Sequence, residues 1–440
     1  MHQRSPRPLI AAVISTLNRA PLLQGMLESL TQQTLPPQEY EVVVVDDGST
    51  DETRGIAQAF AARLPIKYVY QRNAGLASAR NHGLYLSTAP LLLFLDDDDV
   101  AEPDLLEQHV ATHRRYDGDH YAVLGYTRLD PAIADDPLMH FVTEVGCFLF
   151  SYPNFKDGDV LDWEHFWGGR SSCKRAFLLE HGVFNPVFRF GCEDVELAYR
   201  LSRHRFRVVY NAKAVTTMVR GSDFEAFCGR LVRQGRSNFV FSRLHPDKEI
   251  QRWTEVLGFD ETWRAIEPTY EVTLAIARHL DRTTRLKQAA EFSLEDGETT
   301  LLHDAYWAAF RAARLKGVKD AKLEAAGTTP CQHPGGQEPR SGGGDRVVAA
   351  AGVSAEPRFH AKEDAAVSAR SPEEPDAAQL EIQIRDETIR LLRAQCERQQ
   401  QVIKELNWAV QDMRHSLGWR IVSSFRAVYR RLRSPARRGA

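Results

Sequence analysis

Apolar side chains in the first hundred residues fall into short unbroken runs, separated by stretches of helical period. Leu9–Ser15, Glu41–Val45 and Leu91–Leu95 are dense in aliphatic residues, and Ile66–Tyr70 is a weaker run. Runs of this length predict strands buried on both faces. Between them, Ala20–Gln33 and Gly75–Leu86 read as helices, the first with Pro21 in its opening turn. The second run ends in Asp46-Asp47-Gly48-Ser49-Thr50-Asp51, where Ser49, Thr50 or Asp51 can cap the next helix. Strands alternating with helices predict an α/β fold with a mainly parallel sheet and right-handed crossovers.

Two of these strands deliver paired acids to the same edge. Leu91–Leu95 runs straight into Asp96, Asp97, Asp98 and Asp99, and open α/β sheets bind ligands at the C-terminal ends of their strands. Two unit charges ~4 Å apart repel by about 4 kcal/mol at an effective dielectric near 20. With nothing cationic beside it in sequence, such a cluster calls for a bound cation. Mg²⁺ suits it, taking one or two protein carboxylates and completing its shell with water and phosphate oxygens. A nucleotide can use both acidic ends. Asp46 or Asp47 can accept from a base or ribose hydroxyl, and Asp97 and Asp98 can meet the ribose and a diphosphate-bound metal. The segment Asn73–Asn81 sets a helix N-terminus and Arg80 near the same face.

Composition narrows the picture only slightly. The 440 residues are 43% hydrophobic, enough for one large domain or two ordinary ones, and the net charge of -3 gives no argument for nucleic acid. Six cysteines are scattered without a CxxC pair, as expected of free thiols in a reducing compartment. The apolar run after Arg4 and Arg7 is only nine residues long and leads into Asn18-Arg19-Ala20-Pro21 without a convincing signal-peptide cleavage site, and no run approaches a bilayer span.

VISTLNRAPLLQGMLESL, VVVVDDGSTDET, QRNAGLASARNHG and LLLFLDDDD, in this order, resemble the motifs of the family 2 glycosyltransferases. The resemblance covers roughly residues 8 to 240. It implies a GT-A nucleotide-sugar-binding domain, a nucleotide-diphosphate-sugar donor, usually a UDP-sugar, and inversion at the anomeric carbon. It also implies a divalent metal, Mn²⁺ or Mg²⁺, touching Asp98, with the preceding acids Asp96 and Asp97 helping to position the donor. An inverting transfer needs one more carboxylate to take the proton of the attacking hydroxyl. Glu193-Asp194 stands where the family carries its ED motif, so the resemblance implies Asp194 as base and Glu193 as an acceptor-binding neighbour. Upstream, Trp163–Arg170 combines aromatics with a glycine turn, which suits either an acceptor sugar or simple packing. Many relatives place a histidine shortly after the strand that follows the ED helix. Asn211–Met218 has none, leaving His204 and His245 as candidates by default.

Beyond the motifs the chain changes character. A GT-A domain over 1–225 is followed by a helical extension over 226–322, with Phe224–Phe241 and Ile266–Leu315 helical. Residues 323–378 are rich in Gly, Pro, Ala, Ser and charge and read as a disordered linker. Ile382, Ile389, Leu392, Cys396, Ile403, Leu406, Val410, Met413 and Leu417 then fall on a and d positions, predicting a coiled coil over 379–417 and a homodimer. The tail over 418–440 carries seven arginines and no acid between Trp419 and Arg438, interleaved with apolar residues. That pattern suits an anionic membrane surface. These features together predict a cytoplasmic glycosyltransferase of cell-surface glycan assembly, docked peripherally on the inner face of the membrane, with a glycan or lipid-linked acceptor. Two rivals are a sugar-nucleotide nucleotidyltransferase, which would want a glycine-rich loop where Ser15–Arg19 stands, and a catalytically silent GT-A scaffold.

Overall fold

The computed structural model describes residues 7–327. The coiled coil over 379–417, the basic tail over 418–440 and all but the first residues of the linker lie outside them. The order is β1 (Ile10–Thr16), α1 (Ala20–Leu30), β2 (Tyr40–Asp46), α2 (Thr53–Ala59), β3 (Ile66–Tyr70), α3 (Leu76–Leu86) and β4 (Leu91–Asp96). Then come β5 (Asp99–Ala101), α4 (Leu105–Arg115), β6 (Tyr121–Leu129), the one-turn helices α5 (Pro131–Ala134) and α6 (Pro137–His140), β7 (Val160–Leu161) and β8 (Ser171–Lys174). The rest is α7 (Arg175–His181), α8 (Glu193–Ser202), β9 (Arg207–Met218), α9 (Phe224–Leu244), α10 (Lys248–Trp253), α11 (Phe259–Ile266), α12 (Tyr270–Ala289) and α13 (Asp296–Ala325).

The strands form one sheet in the order β3-β2-β1-β4-β8-β6-β9-β5, with β7 on β9. The first four run parallel, as the alternation predicts; β8 then turns antiparallel to β4 and β6. Alternate side chains explain why the strands are apolar throughout. Ile10, Ala12, Ile14, Leu91, Leu93 and Leu95 pack with Leu23, Met26 and Leu27 of α1 on one face. Ala11, Val13, Leu92 and Phe94 pack into the core of the other face. Asp51, one of the three candidate caps, serves two helices, accepting from the Thr53 amide at 3.1 Å and the Ala20 amide at 3.0 Å.

The second core cluster runs without a break from Phe94 through Leu197 to Phe227, Tyr306 and Phe310. The boundary expected at 225–226 thus falls in the first turn of α9, and the helical extension shares the core of the sheet domain. Helices α9 and α13 meet at Gly235 and Gly317. A Cβ at Gly235 would lie 1.9 Å from the Arg314 carbonyl oxygen, and one at Gly317 2.0 Å from that of Val232. Only two glycines allow so close a crossing. Ile266–Leu315, expected to be helical, forms α12 and α13 with a break between Ala290 and Glu295. The cysteines among the described residues, Cys147, Cys173, Cys192 and Cys228, are free thiols.

Candidate functional site

Parallel register levels the strand ends. Ser15 lies beside Val45 and Asp96, and Thr16 beside Asp46. The acids closing β2 and β4 therefore share one sheet edge, at a cavity of about 710 Å³. Of the residues singled out in the sequence, Asp47, Arg80, Asp96, Asp97, Asp98, Glu193 and Asp194 line it. Asp46 is not among the lining residues. Its Oδ1 accepts from the Ser49 amide and its Oδ2 from the Tyr68 hydroxyl, each at 2.7 Å, so both oxygens are spent on the fold. Asp47 holds the loop into α3, accepting from the amides of Ala74 at 2.8 Å and Gly75 at 3.0 Å. It thereby sets the position of Arg80, one turn further on.

The four aspartates meet guanidinium groups rather than bare solvent, which corrects the expectation that nothing cationic offsets them. Asp96 lies 3.1 Å from Arg170 Nη2 and 3.5 Å from Arg80 Nη2. Burial would raise its carboxyl, but Arg170 and Arg80 outweigh that and hold it below the usual carboxylate range. Asp97 turns to Arg19 Nη1 and the Thr16 hydroxyl, both at 2.7 Å, yet burial still pushes it up to about 6. Asp98 is held loosely, 3.4 Å from Arg19 and 3.7 Å from Arg220, and burial followed by the Asp96 charge raises it. Asp99 is buried, with Oδ1 unpartnered, and burial pushes it to about 7.

Across the cavity, Gly191 and Cys192 both take left-handed backbone angles (φ 75° and 65°), and the chain then enters α8. That turn aims the first residues of the helix at the sheet edge. Glu193 Oε1 accepts from Arg80 Nη1 at 2.7 Å, while Oε2 is buried without a partner. Burial and the neighbouring Asp194 charge push the Glu193 carboxyl up to about 7. Asp194 is half-buried; its Oδ2 accepts from the Gly168 amide and its Oδ1 from the Val195 amide, both at 2.8 Å.

The glycine turn of Trp163–Arg170 has a steric reason. A Cβ at Gly168 would lie 2.3 Å from Arg80 Nη1, and one at Gly169 2.0 Å from Asp96 Oδ2. The two tryptophans of that segment have different fates. Trp163 is buried against Tyr199 and Trp253, whereas Trp167 lines the cavity. Neither default histidine is among the lining residues: His245 Nε2 lies 2.8 Å from Glu196 Oε1, and His204 stacks on His181. Arg220, just past β9, joins Arg19 in reaching Asp98. Sequence reasoning missed Arg170, Arg220 and Arg230 as cavity residues, along with Trp253 and Trp307. Only Arg170 left a signal, as the residue completing the Gly-Gly turn.

Residues 11–169 match the family model described as glycosyl transferase family 2. Over 220 residues the chain is 36% identical to validoxylamine A glucosyltransferase of Streptomyces hygroscopicus subsp. limoneus, covering 45% of this chain and 48% of that one. It is 31% identical over 183 residues to a PGL/p-HBAD biosynthesis glycosyltransferase of Mycobacterium tuberculosis, covering 41% of this chain and 62% of that one. The chain spans about half the length of the validoxylamine A glucosyltransferase it matches. Among solved structures it is similar to the mannosyltransferase PcManGT from Pyrobaculum calidifontis in complex with GDP-Man and Mn²⁺. That similarity has 20% identity and a TM-score of 0.48, over 71% of this chain and 88% of the other. Residues 11–169, which carry most of the β1–β4 sheet edge and its acids, thus match glycosyl transferase family 2.

Proposed function

We propose that the protein is an inverting glycosyltransferase. It would move a sugar from a nucleotide-diphosphate-sugar, with a UDP-sugar the expected donor, to a hydroxyl of a glycan or lipid-linked acceptor in cell-surface glycan or glycoconjugate assembly. One observation carries the reading. Arg80 contacts both Asp96 and Glu193, so that carboxylates from β4 and from α8 face one cavity. The β4 side suits the charged end of a donor. The α8 side offers a base. In the displacement the acceptor oxygen bonds to the anomeric carbon, the bond to the diphosphate oxygen breaks, and the hydroxyl proton passes to Asp194. Attack from the face opposite the leaving group inverts the carbon. Two backbone amides fix the Asp194 carboxylate while leaving it accessible from the cavity.

The donor set fits a divalent metal, Mn²⁺ or Mg²⁺, held by Asp98. Asp98 is the loosely paired member of the cluster, with burial and the Asp96 charge raising its carboxyl, so an added cation there would be favourable. Among the described residues no three His, Cys, Asp or Glu side chains gather around a common point. A nucleotide-site metal does not need them, because phosphate and water complete its shell. When bound, the metal would stabilise charge on the departing diphosphate.

For the acceptor, the same cavity is walled by Trp167, Trp253 and Trp307, and Trp307 is 48% exposed with its ring 4.7 Å from that of Phe148. Flat aromatic walls suit a sugar ring or an apolar carrier. No helix among the described residues is long and apolar enough to cross a membrane. Docking through 418–440 and dimerisation through 379–417 belong to the proposal on sequence grounds. The test is release of nucleoside diphosphate from a panel of UDP-, GDP- and dTDP-sugars with Mn²⁺. Release from one donor that disappears in Asp194→Asn supports the reading, and a chain that neither binds nor cleaves any of them would end it.

A further inference from the structure

The cavity arginines are not equivalent. Arg80 and Arg170 are buried and committed to Asp96 and Glu193, Arg314 is held by Glu255 at 2.5 Å, Arg19 by Asp97 at 2.7 Å, and Arg189 donates to Asn73 Oδ1 at 2.7 Å. Two others are uncommitted. Arg220 approaches Asp98 only to 3.7 Å, with half of its side chain exposed. Arg230, in the second turn of α9, has no hydrogen bond or ion pair among the described residues. Its guanidinium carbon lies 5.4 Å from the centre of the Phe190 ring, and the side chain is exposed within the cavity. Both residues follow position 169 and so lie outside the matched family region.

An uncommitted guanidinium beside a carboxylate cluster has a specific use. A nucleoside diphosphate brings more than one negative charge to an edge that already holds Asp96 and Asp98. Arg19, Arg80 and Arg170 are spent on the protein's own carboxylates before any ligand arrives. Unlike charges attract strongly at short range where water is partly excluded, so each further cation matters. A planar guanidinium offers a donor fork that matches phosphate oxygens, and an aromatic face holds its plane while leaving the N–H edge free. We infer that Arg220 and Arg230 form a guanidinium clamp for the diphosphate of the donor. The inference rests on the nucleotide-sugar reading for the source of the diphosphate, but the clamp itself needs only the pyrophosphate group.

The experiment is calorimetric titration of the full chain with inorganic pyrophosphate, UDP and uridine in Mg²⁺ buffer. Arg230→Gln and Arg230→Lys are titrated in the same way, with melting temperatures recorded. A charge-assisted hydrogen bond lost from such a site weakens binding by about ten- to a hundredfold. Arg230→Gln is expected to weaken pyrophosphate and UDP by at least about fivefold, and Arg230→Lys, which keeps the charge but not the planar fork, to recover only part of that. A smaller loss in a folded Arg230→Gln overturns the clamp, as does a folded Arg230→Lys no better than the glutamine variant. So does a wild-type chain that ignores millimolar pyrophosphate. Uridine separates base from phosphate recognition: unchanged uridine binding in Arg230→Gln supports the clamp, and an equal loss overturns it. If pyrophosphate binds through Arg230 but no nucleoside diphosphate does, the donor reading fails while the anion site stands.

Discussion

Arg80 Nη1 lies 2.7 Å from Glu193 Oε1, joining α3 to α8 across 113 positions with both side chains nearly out of solvent. The same guanidinium reaches 3.5 Å from Asp96, so the two acidic ends of the cavity share one cation. Removing one partner of a buried pair typically costs about 3–5 kcal/mol, because the other charge stays behind unpaired. Arg80→Met should lose stability on that order in urea titrations at pH 8. Arg80→Met combined with Glu193→Gln should recover part of it. A single-variant loss below about 1 kcal/mol would show that the pair does not hold the site together.

Glu193 makes stability depend on pH in a definite direction. Its carboxyl is raised to about 7 in the fold, above its ordinary value, by burial and by Asp194. Between the two values the folded state holds a proton that the unfolded chain has released, so this group's contribution declines as pH rises towards and through 7. Melting temperatures of wild type and Glu193→Gln between pH 5 and pH 8 should therefore diverge, wild type losing ground on the alkaline side. Parallel curves would contradict the assignment.

Gly169 is the tightest point of the site, since a Cβ there would fall 2.0 Å from the Asp96 carboxylate. Gly169→Ala should cost about 1–3 kcal/mol as overpacking and displace Asp96 from its arginines. A matched loss of Mn²⁺-dependent UDP binding is expected. An alanine variant with unaltered melting temperature and nucleotide affinity would mean that the turn can simply yield.

A chain ending at Gly327 retains α13 and every other described element. It should fold, keep donor hydrolysis and lose binding to anionic vesicles, since basic residues near such a surface contribute about 1 kcal/mol each. If the shortened chain sediments with vesicles as well as the full one, the tail is not the anchor.

The strands were legible because their pattern depends on local sequence alone: Ile66–Tyr70 is observed with the predicted bounds, although none of its residues is buried, and β4 gains only Asp96. The acids on the shared edge were legible for the same reason, since each closes a strand. What each carboxylate does was not. Asp46 and Asp47 are neighbours of one type, yet the first turns into Tyr68 and the second secures the α3 loop. Trp163 and Trp167 likewise part company, one into the core and one to the cavity. The counter-charges were least visible: Arg170 meets Asp96 over 74 positions, and nothing local marks the pairing. Arg220 and Arg230 come from beyond the motifs altogether.

The central claim is that Asp194 takes the proton of the attacking hydroxyl, and Asp194→Asn tests it most directly. The amide keeps the size of the side chain and an oxygen to receive the Gly168 amide, now bonded to Oδ2 at 2.8 Å, but it cannot accept the proton. With the donor found in the nucleotide-sugar screen, donor affinity by calorimetry and nucleoside-diphosphate release by single-turnover kinetics are measured on the same protein. Affinity within about threefold of wild type with release slower by ~10²–10⁴-fold is the predicted result. An Asp194→Asn enzyme that binds and turns over its donor at near wild-type rates would contradict it.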